Sequence, residues 1–265
     1  MVTVRTLISV AASRNWPLYY MDVNYAFLQD ALQAAKYIQS LYDHSLFTKK
    51  EGEELVIVLV YVDNLLITGN SRRLIDQAKS TLHNNFKVKD LGELRSFLGI
   101  EVLISHDGIL LNQIKYTLEL ISDVGLSGAK PVNTPLEANA RFTTVDYDAH
   151  VGGITDPVLP DATPYQKLIG KLLYLTITRP DISFVVQVLS QFMQQPKASH
   201  WEAALRLVRY LKGSPGQGIF LKNNPCTQLT VFCDSDWAAC PNIRRSVTGY
   251  IVKLGDSIIS WKSKK

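Results

Sequence analysis

Apolar and polar positions in this 265-residue chain keep two different periods, and the period decides what each stretch forms. The longest apolar run, Leu55 to Val62, is eight residues, too short for a bilayer span and too β-branched to favour a helix. It predicts a buried strand. Asp63-Asn64 interrupts it before Leu65-Leu66-Ile67, so the stretch predicts a hairpin with Asp63-Asn64 as its two-residue turn. Leu18 to Val23 predicts another strand, with Asp22 among apolar and aromatic neighbours. His106-Asp107-Gly108, between apolar runs over 97–103 and 109–111, is a further hairpin signal. Leu229 to Asp234 predicts a late strand ending in an acid.

Spacings of three and four predict the helices. Thr3 is placed to cap a helix with Val4, Leu7, Ile8 and Ala11 on one face, ended ahead of Pro17. A helix is expected over 32–41, and another behind Asn70 or Ser71 with Leu74, Ala78, Leu82 and Phe86 as its stripe. Ile114, Leu118 and Ile121 mark a third. Helices over 165–176, from Arg179-Pro180-Asp181 through Ile182, Val185, Val186, Leu189 and Met193, and over 199–212 complete the set. The last turns Trp201, Leu205, Val208 and Leu211 inward and pairs Glu202 with Arg206. Residues 127–164, with five prolines, Gly152-Gly153 and no sustained period, predict an extended linker.

Composition changes this picture little. At 46% hydrophobic and 20% charged it is ordinary for a globular chain, neither disordered nor fibrous. A net charge of +4 permits a nucleic-acid partner without requiring one. Cys226, Cys233 and Cys240 are odd in number and lack paired His/Cys ligand spacing, so reduced thiols are expected. The first 13 residues are expected to be a helix and not a signal peptide, and no segment is expected to enter a membrane.

The candidate chemistry lies in the acids. Asp63, at the tip of a buried hairpin, is held still and desolvated on one side, which suits a metal ligand. Asp22 either caps the helix that follows it or shares that role. Phe27 is either core packing or a ligand contact. Arg206, Arg209 and Lys212 either meet phosphates or form a solvated face.

Tyr61-Val62-Asp63-Asn64 resembles the Tyr-Val-Asp-Asp signature of reverse transcriptases in copia-type long-terminal-repeat retrotransposons, with Asn in place of the second Asp. Met21-Asp22-Val23-Asn24-Tyr25-Ala26-Phe27-Leu28 resembles the first catalytic motif of that family. Tyr165-Gln166-Lys167-Leu168-Ile169-Gly170, Thr178-Arg179-Pro180-Asp181-Ile182 and His200-Trp201 are similar to copia-type sequences. Asp234-Ser235-Asp236-Trp237-Ala238 and Arg244-Arg245-Ser246-Val247-Thr248-Gly249-Tyr250 resemble the opening of the family's ribonuclease H domain. The matches run in family order from Val4 to Lys265, as in a fragment of a Pol polyprotein.

The resemblance implies an α+β fold: a shortened reverse transcriptase palm with an antiparallel sheet over 1–126, a linker over 127–164, a helical connection over 165–215, and incomplete ribonuclease H-like strands over 216–265. It implies RNA-directed DNA polymerase chemistry with Mg²⁺ or Mn²⁺ and deoxynucleoside triphosphates on an RNA template and DNA primer. Asp22 and Asp63 would be catalytic metal ligands and Asn64 a weaker one. Phe27, Tyr61, Lys87 and Lys89 would contact the nucleotide, and Phe97-Leu98-Gly99 would form the primer grip. Asp234 would be one acid of an incomplete ribonuclease H site, with Asp236 a turn residue. Other Pol or Gag products are implied partners, and a cytoplasmic virus-like particle or the nucleus the implied location.

The chain also departs from the pattern. Only 40 residues separate Asp22 from Asp63, without the Gln-Ala-Ser-Arg-like motif that lies beneath the incoming nucleotide in the family. The basic fingers segment and the later ribonuclease H acids lie outside these 265 residues. Two desolvated carboxylates about 4 Å apart repel by about 4 kcal/mol at an effective dielectric near 20, which a divalent ion relieves. Asn64 removes one of the charges that would hold that ion. An impaired or inactive polymerase without ribonuclease H turnover is therefore expected, the alternatives being a non-catalytic nucleic-acid-binding or assembly module or a translated relic.

Overall fold

The computed structural model describes all residues except 24–27, 153–155, 226, 239 and 241, so Phe27 and Cys226 lie outside the described residues. Two compact units are present: residues 1–110 with 220–228 and 254–259, and residues 111–219 with 229–253 and 260–265. The strand pairs with a defined register are antiparallel, and helices accompany them, so the fold is α+β.

The first unit runs α1 (Val2–Ser13), β1 (Leu18–Val23), α2 (Leu28–Ala34), β2 (Ile38–Gln39), β3 (Leu46–Glu51), β4 (Glu54–Tyr61), β5 (Asn64–Gly69), α3 (Arg72–Asn85) and β6 (Val88–Glu93). Its six-stranded sheet has the order β2-β3-β4-β5-β1-β6. Strand alternation puts Tyr19, Met21, Val23, Val56, Val58, Val60, Leu65 and Ile67 on one face. There they form a cluster with Leu28 and Leu32 of α2 and Leu74, Ile75, Ala78 and Leu82 of α3. Burying one such Leu or Ile contributes roughly 1.5–3 kcal/mol, so this face anchors the sheet. Ser71 caps α3, its hydroxyl accepting the Leu74 amide at 3.3 Å.

Local expectations shift in three places. α1 begins at Val2, and the Thr3 hydroxyl donates to Asp43 in place of capping. The helix expected over 32–41 stops at Ala34, because Lys36 takes φ +65° and Ile38 and Gln39 pair with Thr48 and Phe47. The β4–β5 hairpin turns at Val62-Asp63, one residue earlier than the Asp63-Asn64 expected. Asn64 is drawn into the ladder because β1 pairs there: Asn64 faces Asp22, and the Val23 amide donates to the Asp63 carbonyl at 2.8 Å.

Next come β7 (Ser96–Phe97), β8 (Ile100–Ser105) and β9 (Gly108–Asn112), joined by the later β10 (Ile219–Lys222) in a sheet of order β10-β9-β8-β7. His106-Asp107 is the two-residue loop between β8 and β9. The run expected as one strand from Phe97 is broken by Leu98-Gly99, whose φ values of +52° and +76° are those of a type I′ turn. Gly108 is required by close approach: a Cβ there would lie 2.2 Å from the Leu221 carbonyl oxygen.

The second unit holds α4 (Ile114–Asp123), α5 (Val145–Val151), α6 (Thr163–Leu175), α7 (Ser183–Leu189) and α8 (Ala198–Gly213). The strands β11 (Leu229–Ser235), β12 (Thr248–Leu254) and β13 (Ser257–Lys264) form a sheet in that order. Its core joins Leu120 and Ile121 of α4 to Tyr165, Leu168, Ile169 and Leu172 of α6, Val185 and Val186 of α7, and Ala204, Leu207, Val208 and Leu211 of α8. The expected stripes rotate slightly: Leu118 is exposed, and Trp201 and Leu205 flank the buried face of α8 that His200, Ala203 and Leu207 fill.

The segment expected as an extended linker is packed. It contains α5, whose Thr144 cap accepts the Tyr147 amide, and it is bonded to the helices. The Leu159 amide donates to Pro196 and the Val132 amide to Arg209. Lys197, almost wholly buried, pairs with Asp148 and Asp156. Its prolines and lack of period hid this, because polar and backbone contacts hold the segment and leave no apolar stripe.

Candidate active site

Four adjacent strands assemble the site. Asp22 of β1 is the direct register partner of Asn64 on one side and of Lys89 in β6 on the other, and Asn64 is in turn the partner of Tyr61. Directly paired residues project from the same face of a sheet. Lys89, Asp22, Asn64 and Tyr61 thus form one row across four strands, on the face opposite the α2–α3 cluster. Asp63 stands beside this row in the hairpin turn. Asp22, Asp63 and Lys89 are exposed, Asn64 is half-buried, and Lys87 is exposed just ahead of β6, outside the row.

Neither Asp22 nor Asp63 accepts a hydrogen bond through its carboxylate from the described residues. Asn64 differs: its side-chain oxygen accepts the Tyr20 hydroxyl. Tyr20 lies two residues before Asp22 and so on the same face. Burial, and after it the charge of Asp22, pushes its hydroxyl above the usual tyrosine value. Its ring meets Phe97 edge-on at 5.7 Å. Tyr20 links the expected primer-grip residue to the acid row, and it escaped the sequence reading. The one available signal was period two from Asp22.

The hairpin tip is strained. Val62 has φ +53°, a conformation that costs a β-branched residue on the order of 1–3 kcal/mol. Its side chain is exposed, so no packing repays that cost locally. The β1 ladder fixes the turn from outside. Phe97 is buried, and the Leu98-Gly99 turn beside it presents backbone at the surface.

Asp234 is separate from this row. It is exposed at the end of β11, where the Ser235 amide donates to it at 2.9 Å. It borders a cavity of about 370 Å³ lined by Phe184, Phe232, Tyr250 and Trp261. Asp236, just past β11, accepts the Val247 amide at 2.9 Å, a bond to a residue eleven positions further along the chain. Among the described residues, no group of three or more His, Cys, Asp or Glu side chains is arranged to hold a metal ion.

The basic face of α8 is engaged by the chain itself. Arg206 meets Glu137 at 3.1 Å and Thr134 at 3.0 Å, so it pairs with Glu137 and not with the Glu202 expected from spacing. Arg209 donates to the Lys130 carbonyl at 3.1 Å, and Lys212 donates to the carbonyls of Leu126, Ser127 and Ala129. Among the described residues no helix is long and apolar enough to cross a membrane.

Comparison with known proteins gives a consistent result. The family described as "Reverse transcriptase (RNA-dependent DNA polymerase)" matches residues 29–138, which include Asp63 but not Asp22. A retrovirus-related Pol polyprotein from transposon RE2 of Arabidopsis thaliana is 36% identical over 99% of this chain. The chain spans only about a fifth of that polyprotein (21%). The alignment covers 309 positions, more than the 265 of the chain, so stretches of the relative have no counterpart here. A Saccharomyces cerevisiae (strain ATCC 204508 / S288c) protein ascribed to transposon Ty5-1 is 33% identical over 84% of this chain and 70% of its own length. An uncharacterized mitochondrial protein of Arabidopsis thaliana is 37% identical over 78% of this chain and 82% of its own. No solved structure matches.

Proposed function

Because the chain belongs to the copia-type reverse transcriptase family of transposon Pol polyproteins, we propose that its first unit carries the palm of an RNA-directed DNA polymerase with reduced turnover. The register that sets Asp22 against Asn64, with Asp63 one residue away, is the observation that supports it. Template RNA, primer and deoxynucleoside triphosphates are the substrates of this reading.

Two carboxylates that no described residue hydrogen-bonds, beside an amide oxygen, form a hard-oxygen donor set. Such a set fits Mg²⁺ or Mn²⁺, which take one or two protein carboxylates and fill the rest of their shell with water and phosphate. When bound, the ion acidifies the attacking 3′-hydroxyl and neutralises charge on the phosphates. In this reading Asp22 is held by the β1 ladder, and Asp63 by a tight hairpin turn whose backbone carbonyl accepts the Val23 amide. Tyr20 fixes the Asn64 amide, and through Phe97 it connects the row to the Leu98-Gly99 turn, where the primer end would rest. Lys89, the register partner of Asp22 in β6, would meet a phosphate in this reading.

Turnover is expected to be low because Asn64 brings no charge and the stretch between the two acids is short. Poor positioning is costly, since proximity and orientation supply about 7–11 kcal/mol of such catalysis. Asp234, which joins no group of three metal-ligating side chains among the described residues, carries no ribonuclease H turnover in this reading. The rival reading, a non-catalytic module that binds nucleic acid through α8, is disfavoured because Arg206, Arg209 and Lys212 are already bonded to residues 126–137. The test is extension of oligo-dT on poly-rA with Mg²⁺ and with Mn²⁺. Weak product that disappears in both Asp22→Asn and Asp63→Asn is expected. No product with either ion, or product that survives Asp63→Asn, overturns the proposal.

A further inference from the structure

One cavity of about 370 Å³ in the second unit takes lining residues from α7, β11, β12 and β13. That is the size of a small-molecule site, and its walls have the character of one, mostly apolar and aromatic with a few polar groups. Phe184, Phe232, Tyr250 and Trp261 supply the rings. The first three are exposed although they line one cavity. The Trp261 indole is fixed from behind, its N–H donating to the Thr176 carbonyl at 3.0 Å.

The polar groups favour a positively charged guest. Asp234 follows Phe232 by two positions in β11 and so projects from the same face, and Asp236 lines the same cavity. Among the described residues of the lining, Lys262 is the only base, so it offsets one carboxylate and leaves the cavity net negative. The Ser183 hydroxyl oxygen is buried in this lining and has no hydrogen-bond partner among the described residues. A buried hydroxyl is rarely left so, and a donor entering the cavity would complete it.

We propose that this cavity binds a small organic ammonium ion, its aromatic or apolar body among the rings and its ammonium group turned to Asp234 and Asp236. Ammonium N–H groups form charge-assisted bonds with carboxylates, and a cation is also drawn to aromatic faces. The Ser183 hydroxyl accepts a further N–H. A phosphate or carboxylate would instead meet two like charges, so anionic molecules are poor guests. The site is separate from Asp22 and Asp63 and does not rest on the polymerase reading.

Gly249, on the middle strand of the sheet, offers a way to close the cavity. Within 4 Å a Cβ there meets only the Lys262 carbonyl oxygen, at 3.8 Å, so a larger side chain fits without moving the backbone.

The test titrates the full chain with 2-phenylethylammonium, followed by tryptophan fluorescence and ligand-observed NMR. Saturable binding is expected, at least about tenfold tighter than for uncharged 2-phenylethanol or anionic 3-phenylpropanoate. Asp234→Asn should weaken it about tenfold, Lys262→Met should tighten it, and Gly249→Leu should abolish it. Asp234 is exposed, so Asp234→Asn should melt with the wild type and still reports if Gly249→Leu folds poorly. Asp22→Asn and Asp63→Asn should bind the probe unchanged, which keeps this result apart from any failure of primer extension. No saturable binding, equal affinity for the ammonium and the alcohol, or binding unchanged in Asp234→Asn overturns the proposal. Displacement of the probe by equimolar Mg²⁺ would assign the two acids to a metal and overturn it as well.

Discussion

At the scale of single residues, the site combines strain with unspent charge. Val62 holds a left-handed backbone with an exposed β-branched side chain. Val62→Gly relieves strain on the order of 2 kcal/mol and gives back about 1 through the freer unfolded chain. A net gain of about 1 kcal/mol follows, a rise of a few degrees in the melting temperature. His200 gives a pH prediction. Its Nδ1 accepts the Lys197 amide at 3.0 Å and its ring stacks on Phe192. Burial first, then the Lys197 charge, pull its pKa down to about 4, although Asp156 and Asp148 act the other way. Between pH 6.5 and 4 the unfolded chain therefore binds a proton that the folded chain refuses. The His200 contribution is complete above pH 6.5 and is lost as pH falls toward 4, by up to about 3 kcal/mol. Melting temperatures across that window should fall less steeply in His200→Gln than in the wild type.

At the scale of elements, the apolar stripes were legible and the polar clasps were not. Leu74, Ala78 and Leu82 in α3, and Ile182, Val185, Val186 and Leu189 around α7, are buried as their spacing predicts. The misplaced features share one cause, that long-range pairing overrode local pattern. Asn64 left the turn because β1 captured it, Ile38 and Gln39 left a helix to pair with β3, and Arg206 found Glu137 across the fold. Lys197 is the largest case. Its ammonium bonds the Thr143 hydroxyl and pairs with Asp148 and Asp156. Burial pushes both carboxyls up, but Lys197 and then Thr143 draw Asp148 below the usual range, and the Ser199 hydroxyl and amide, followed by Lys197, do the same for Asp156. Lys197→Ala leaves two partly buried carboxylates without a counter-charge and should cost about 3 kcal/mol, read from the denaturant midpoint. Proteolysis within 143–156 should quicken in the same variant, whereas Lys222→Ala, which breaks only an exposed pair with Asp256, should shift the midpoint by less than about 1 kcal/mol.

At the scale of the whole molecule, the family was readable from motif order, and the α+β character followed from mixed periods. The assembly of the acid row was only half readable. Sequence nominated Asp22, Asp63 and Asn64, but the facing of Asp22 against Asn64 and Lys89 depends on the strand order β5-β1-β6, which no local pattern encodes. Period two from Asp22 put Tyr20 on the same face, but its bond to Asn64 depends on that same strand order. The account stands or falls on whether Asp22 and Asp63 act on one divalent ion. Mn²⁺ binding to the full chain, followed by the water-proton relaxation of the bound ion, tests this without requiring turnover. The prediction is a site weakened at least about tenfold by either Asp22→Asn or Asp63→Asn, tightened about tenfold by Asn64→Asp, and indifferent to Asp234→Asn, each tenfold step being about 1.4 kcal/mol. Mn²⁺ affinity that stays unchanged in both Asp22→Asn and Asp63→Asn would contradict it.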